Sequence, residues 1–188
     1  VDINKSLFFS YPLIINFFLI GLMNHFGKIY SFNYLSTEQM FDYSILQRAA
    51  TVITLVHVSV YGFILKQIYN SKNVTQHIRI FIKYFIIILI SSIFLLISAP
   101  LINLFFNYKI SSNLLTIFIL STVLRSFCTY FETYFSSNNQ NRILPVLTIL
   151  VAFIYFLTFF AFDEINLNTI IFTFLISSII NFFLIIFF

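Results

Sequence analysis

The sequence predicts an all-α integral membrane protein whose six transmembrane helices form one bundle. Composition is the first observation, since 60% of the 188 residues are hydrophobic, 9% are charged and the mean hydropathy is +0.99. A typical soluble domain has about 25% charged residues. The second observation is the order of the apolar residues, which fall into six long runs separated by short polar stretches. This pattern is typical of a chain that crosses a bilayer repeatedly.

Each apolar run is close to the roughly 20 residues that a helix needs to cross a hydrocarbon layer about 30 Å thick. The predicted spans cover residues 7–25, 44–68, 80–107, 113–135, 143–162 and 168–188. With their loops they use nearly the whole chain, so we expect a single six-helix domain over residues 1–188. The first run follows one lysine and lacks a small-residue cleavage site, which indicates a membrane helix and not a removed signal peptide.

The polar segment before the second run predicts where its helix begins. Ser36 is followed three residues later by Gln39, in the order of a capping box. In such a box the serine side chain accepts a hydrogen bond from an amide that the helix start leaves free. We therefore expect a helix that begins near Thr37 and continues into the second span.

Lysine and arginine are distributed unequally among the loops, and this predicts the orientation of the chain. The N-terminus, the second loop and the fourth loop carry Lys5, Lys66, Lys72, Arg79, Lys83 and Arg142, whereas the other loops carry Lys28 and Lys109. Cytoplasmic loops hold the excess of cations, so both termini are expected in the cytoplasm. The net charge of +4 follows from this asymmetry, and we expect membrane lipids but no nucleic acid as partners.

Arg125 stands near the middle of the fourth run, where a side chain that faced lipid would be costly. Glu132 follows two helical turns later on the same face, among serines and threonines. The fourth helix is therefore expected to have one polar face. Two interpretations stay open: a cavity whose arginine binds a phosphate or carboxylate through its planar fork, or a structural ion pair between Arg125 and Glu132.

The second run contains two further ionisable residues that we take as candidates for substrate binding. Arg48 stands about one turn inside the run, and the alternative is that its side chain extends along the helix to the membrane interface. His57 lies near the bilayer centre. Two interpretations are open: its side chain forms a hydrogen bond between helices, or it carries a proton in coupled transport.

The sequence shows no pattern typical of a metal site, a cofactor site or a catalytic centre. The three histidines His25, His57 and His77 lie at different predicted depths, with no cysteine or carboxylate cluster at ligand spacing. With three glycines, the chain also has no glycine-rich phosphate loop. We therefore expect a protein that is not an enzyme and that binds no cofactor or metal.

Two segments resemble a known family. Residues 28–44, KIYSFNYLSTEQMFDYS, are similar to the connection between the seventh and eighth helices of bacterial O-antigen and polysaccharide flippases. Residues 127–151, with the polar turn SSNNQNR at 136–142, resemble the tenth and eleventh helices of those proteins. They belong to the multidrug, oligosaccharidyl-lipid and polysaccharide exporter superfamily. Phe41 departs from the pattern, because the family often has glycine there.

The resemblance implies that the chain is the C-terminal half of a two-bundle exporter, with an N-terminal six-helix half as its partner. A start at Val1 and an end within an apolar run at Phe188 are expected of such a fragment. The implied activity is alternating-access export of a lipid-linked oligosaccharide through the bacterial inner membrane, for O-antigen or lipopolysaccharide synthesis. The alternatives are a drug or cation exporter of the same superfamily, a membrane-embedded enzyme of the cell envelope and a scaffold subunit.

Overall fold

The computed structural model describes residues 3–71, 73–106, 111–138, 140, 143–162 and 164–187, and it confirms an all-α membrane protein. Six helices and no strand are present in these residues: α1 (Ile3–Tyr34), α2 (Thr37–Asn70), α3 (Val74–Phe106), α4 (Ser112–Ser137), α5 (Ile143–Phe160) and α6 (Leu167–Phe187). Helices α2 to α6 are long and apolar enough to cross a membrane. Side chains of α1 are described at most positions from Tyr11 onward, so the first predicted span is described in part.

The first three helices are longer than the predicted spans. They contain 32, 34 and 33 residues, which corresponds to a length of about 48 to 51 Å at 1.5 Å per residue. A hydrocarbon layer about 30 Å thick takes up some 20 residues, so these helices tilt or extend into the headgroup region. Polar residues at the ends of the runs, such as Lys28 and Arg79, continue the helices without adding to the apolar signal.

Serine side chains fix the beginnings of two helices. As the sequence predicts, α2 begins at Thr37, and the Ser36 hydroxyl accepts a hydrogen bond of 3.3 Å from the backbone amide of Gln39. The helix α4 begins in the same way after Ser111, whose hydroxyl accepts from the amide of Leu114. Each bond satisfies an amide that has no partner within the helix.

Consecutive helices run in opposite directions. The helices α2, α4 and α6 are parallel, because residue numbers rise together along their contacts: Tyr43 with Phe118, Tyr61 with Thr133, Phe118 with Phe174, and Phe127 with Phe182. The helix α3 is antiparallel to α4, since His77 meets Tyr130 and Phe85 meets Phe127. The helix α5 is antiparallel to α6, since Tyr155 meets Phe174, and Leu144 belongs to the same hydrophobic cluster as Ile185. The helix α1 is parallel to α5, because Asn16 contacts Thr148 and, further along both helices, Phe26 contacts Phe156.

This alternation places the beginning of α1 and the end of α6 at one end of the bundle. Lys66, Arg79 and Lys83 lie toward the same end, where α2 is followed by α3. Three of the loop cations from which the orientation is predicted lie outside the described residues: Lys72, Lys109 and Arg142. Which end faces the cytoplasm stays a prediction from the charges.

The helices α4 and α6 pack against each other at the centre of the bundle. On one side α2 and α3 pack against α4, and on the other side α5 packs against α6 and α1 packs against α5. As a result, α1 and α2 stand on either side of one face of the central pair. This arrangement forms the cleft in which the polar residues collect.

Aromatic side chains make many of the contacts between helices. Phe81 of α3 packs against Phe127 and Phe131 of α4, and Phe26 of α1 meets Phe156 of α5 edge to face, with ring centres 4.8 Å apart. Such pairs contribute about 0.5–1.5 kcal/mol each beyond the area that they bury. Close packing is what holds helices together in a bilayer, because lipid tails are as apolar as the side chains.

Gly27 permits the close approach of α1 to α5 and α6, which gives a test of this packing. A Cβ at Gly27 would lie 2.6 Å from the Phe174 ring and 3.0 Å from the Tyr155 hydroxyl. Gly27→Ala is expected to lower the free energy of unfolding by about 1–3 kcal/mol, as overpacking does. Gly21→Ala is the matched control, since a Cβ there meets nothing within 4 Å. Reversible unfolding in mixed micelles measures both, and equal stability of the two variants would contradict the packing.

Candidate functional site

A cavity of about 610 Å³ lies in the cleft between α1 and α2, with α4 and α6 at its base. Residues of α1 and α5, such as Met23 and Val151, complete the lining. Thr51, Thr54 and Val58 are exposed along α2, so the cavity opens to the outside of the bundle along this helix. The polar face of α4 lies within the cavity: its lining residues include Ser121, Thr122, Arg125, Ser126, Thr129 and Glu132.

Arg125 lies at the middle of α4 and is partly exposed toward the cavity. Its guanidinium carbon is 5.4 Å from the centre of the Phe174 ring, a distance at which a cation is attracted to the face of an aromatic ring. Tyr43 of α2 and Tyr155 of α5 lie within electrostatic range of the guanidinium. The arginine is thus surrounded by aromatic residues of three helices while it lines the cavity.

Glu132 also lines the cavity, two turns beyond Arg125 and within electrostatic range of it. Its side chain forms a hydrogen bond with Asn16 of α1. The Asn16 side-chain oxygen in turn accepts a hydrogen bond from the Thr148 hydroxyl of α5. The carboxylate therefore connects three helices. Both interpretations of Arg125 and Glu132 have a basis in this geometry, because the two residues share a cavity and attract each other.

His57 lines the cavity from α2 and forms a hydrogen bond to a neighbouring helix. Its Nδ1 atom pairs with the hydroxyl of Tyr84 of α3, and that hydroxyl donates to the backbone carbonyl of Ser126 of α4 over 2.9 Å. Both bonds can form together only if Nδ1 carries the hydrogen and the tyrosine oxygen accepts it. His57 therefore links three helices, and its role as a proton carrier stays a prediction.

Arg48 is the one candidate that the structure does not place in the cavity lining. It is exposed on α2, about 100° around the helix from its neighbour Gln47, which does line the cavity. Arg48 lies about three turns inside α2, which begins at Thr37. That its side chain extends to the membrane interface stays a prediction. Arg125, Glu132 and His57 are thus brought together, and Arg48 is not.

Several residues of the cavity lining are not among those predicted from the sequence. Ser177, Ser178 and Asn181 form a polar stripe on α6, and their spacing of three and four residues within an apolar run was an available signal. Tyr84 and Tyr155 are outside the lining but interact with its members His57 and Arg125. No signal in the sequence marks these two residues, because tyrosines occur throughout the chain. The Tyr155 hydroxyl is a buried polar atom without a hydrogen-bond partner in the described part of the chain.

The side chains of this site can bind an anion and polar groups. Arg125 can donate parallel hydrogen bonds to a phosphate or carboxylate, and the alcohols and His57 supply neutral hydrogen-bonding groups along the cavity. Within the described ranges, no three side chains of His, Cys, Asp or Glu come close enough to hold a metal ion.

Comparison with protein-family models, with curated proteins and with solved structures gives no match. The similarity of residues 28–44 and 127–151 to polysaccharide flippases therefore stays a resemblance.

Cysteine labelling tests whether the cavity contains water. In a Cys128→Ser background, Thr122→Cys and Thr129→Cys place thiols on the cavity face of α4, whereas Val123→Cys places one at a buried position outside the lining. An impermeant, negatively charged methanethiosulfonate is expected to modify the first two several times faster than the third, since it needs aqueous access. Mass spectrometry measures the rates, and equal protection at all three positions would contradict a hydrated cavity.

Proposed function

We propose that the protein is a transporter that moves a lipid-linked oligosaccharide across a bacterial inner membrane by alternating access, without covalent chemistry. The observation that carries this proposal is a polar cavity that contains Arg125 within an otherwise apolar helical bundle. A cation at this depth is costly unless it serves a structural or functional purpose. We further propose that both termini are cytoplasmic, in agreement with the distribution of cations.

The shape of the cleft suits a substrate that has a polar head and an apolar tail. Along its outer edge, α2 changes from the cavity residues Thr51 and Thr54 to the exposed apolar residues Leu55 and Phe63. A headgroup can therefore occupy the cavity while its tail stays in the surrounding lipid. A lipid-linked oligosaccharide has this division between a sugar diphosphate and a hydrocarbon chain.

Arg125 is suited to the diphosphate of such a substrate. Its planar guanidinium forms two parallel hydrogen bonds with a phosphate, and such charge-assisted bonds are stronger than those between neutral groups. The Phe174 ring at 5.4 Å shields one side of the guanidinium from water, which preserves its attraction for an anion. Glu132 lies within electrostatic range, and its attraction for Arg125 competes with that of a bound anion.

Alternating access requires a second body that can move against this bundle. The open side of the cleft between α1 and α2 is where such a body would complete the cavity. An even number of spans returns the chain to its starting side, so that two six-helix repeats insert with the same orientation about an axis along the membrane normal. We propose an N-terminal six-helix half as this partner.

Replacement of Arg125 tests the proposal. In cells that depend on this protein for glycan export, Arg125→Gln is expected to lower the export of lipid-linked glycan by at least about tenfold, the effect of losing one charged hydrogen-bond donor. Arg125→Lys should retain part of the activity, because it keeps the charge but not the fork. Arg48→Gln is the matched control outside the cavity. Normal export by Arg125→Gln, with normal insertion, would contradict the proposal.

Glu132 gives some support to a second candidate, a drug or cation exporter. A carboxylate in the cavity, held by Asn16, is the kind of group that exchange of a cationic substrate requires. This alternative predicts ethidium efflux that Glu132→Gln abolishes. Under our proposal, expression of the protein leaves ethidium efflux unchanged. Fluorescence of loaded cells measures the efflux, and a Glu132-dependent signal would favour the alternative.

A further inference from the structure

The hydroxyl groups along the cavity have a shared property: each uses its hydrogen within its own helix. On α2, Thr51 donates to the Gln47 carbonyl and Thr54 to the Ala50 carbonyl, over 2.8 and 3.2 Å. This is the usual bond of serine and threonine side chains inside helices. A hydroxyl that donates to the preceding turn keeps its oxygen lone pairs for other partners. Both threonines therefore present hydrogen-bond acceptors to the cavity.

The same holds on the two helices at the base of the cavity. On α4, the hydroxyls of Ser121, Thr122, Ser126 and Thr129 donate to carbonyls three or four residues earlier, over 2.7 to 3.2 Å. On α6, Ser177 and Ser178 both donate to the Phe174 carbonyl. All serines and threonines in the cavity lining thus donate to the backbone of their own helix and keep their oxygen lone pairs as acceptors. Thr51 and Thr54 are exposed, whereas the serines of α4 and α6 are buried.

The bond from His57 to Tyr84 leaves the other ring nitrogen of His57 as a hydrogen-bond acceptor. Because the tyrosine hydroxyl donates to the Ser126 carbonyl, Nδ1 of His57 carries the hydrogen, and in the neutral ring Nε2 is left with a lone pair. No described residue forms a hydrogen bond with Nε2. Nε2 is also not fully enclosed by the described residues, so it keeps some accessible surface. Since the residue lines the cavity, Nε2 is available to a ligand there.

We propose that the cavity wall formed by α2 and α4 is a hydrogen-bond-acceptor surface for the hydroxyl groups of a glycan, with the Nε2 lone pair of His57 as its central acceptor. Thr51, Thr54 and His57 follow one another at three-residue intervals along α2, so their acceptors lie on successive turns of one face. A sugar ring carries several hydroxyl donors at similar spacing. The inference rests on the proposed function and assigns the sugar, as distinct from the diphosphate, to this wall.

Charge distinguishes a sugar from the other class of donor-rich ligand, an ammonium ion. The cavity lining contains Arg125 and Lys28 as cations and Glu132 as the acidic group. A second cation near Arg125 would be repelled, whereas a neutral hydroxyl is not. Gln47 and Asn181 add amide groups that can donate to the ring and glycosidic oxygens of a sugar. The acceptors along α2 therefore favour a neutral polyol.

Methylation of the sugar hydroxyls provides the test, because it removes the donors and keeps the oxygens. The protein, labelled with ¹⁵N at histidine, is placed in phosphatidylcholine nanodiscs and titrated with decyl maltoside or with its fully O-methylated ether. The Nε2 resonance of His57 is assigned by its loss in His57→Gln. Decyl maltoside is expected to shift this resonance and to bind about tenfold more tightly than the ether, the effect of one or two hydrogen bonds.

Two variants show whether Tyr84 sets the acceptor. Tyr84→Phe retains His57 and the ring packing but lets the imidazole adopt its other tautomer, so the preference for the hydroxylated sugar should fall several-fold. His25→Gln changes a histidine outside the cavity lining and should leave the preference unchanged. In the unliganded protein, the ¹⁵N spectrum should show the hydrogen of His57 on Nδ1.

Three results would overturn the inference: equal affinity for the sugar and its ether, a hydrogen on Nε2 in the unliganded protein, or a larger shift with decylammonium than with decyl maltoside. Citronellyl diphosphate separates this failure from that of the proposed function. Its binding should depend on Arg125 and not on His57. If it does not bind, the proposed anion site fails, while the comparison of maltoside with its ether still decides whether the wall accepts hydroxyl groups.

Discussion

A polar group inside a hydrocarbon layer must find a hydrogen-bond partner or water, and the arrangement of this bundle depends on that requirement. Most polar side chains in the described spans meet it within the protein. Thr148 donates to Asn16, Tyr130 donates to the carbonyl of His77, and Tyr84 joins His57 to the Ser126 carbonyl. These bonds link α1 to α5, α2 to α3, and α3 to α4. The groups that would be costly in lipid thus hold the bundle together, in addition to the aromatic packing.

The helix α4 satisfies polar groups on one face and lines the cavity with another. Tyr130 on one side bonds to α3, whereas Arg125 on another side lines the cavity above α6. A helix at the centre of the bundle can therefore carry a guanidinium at mid-depth without exposing it to lipid. Under the proposed function, the cavity provides polar surroundings for the headgroup, and the opening along α2 leaves the tail of the substrate in the membrane.

The sequence predicts those features that depend on local order. The spans follow from apolar runs, the start of α2 from Ser36 and Gln39, and the polar face of α4 from the seven-residue spacing of Arg125 and Glu132. Features that depend on pairing between distant segments could not be predicted. The hydroxyl of Tyr84 is important because α3 places it between α2 and α4, and a sequence with many tyrosines does not single it out. Arg48 resembles a cavity residue in sequence, but the rotation of α2 directs the adjacent Gln47 into the cavity instead.

A cryo-electron microscopy map of the protein in lipid nanodiscs, at a resolution that shows ordered water, tests whether Arg125 lies in a hydrated cavity within the membrane. We expect density for water or for a lipid headgroup within hydrogen-bonding distance of the guanidinium, in a cleft bounded by α1 and α2. A cleft filled by packed side chains or by acyl chains, with Arg125 in contact with protein alone, would contradict it.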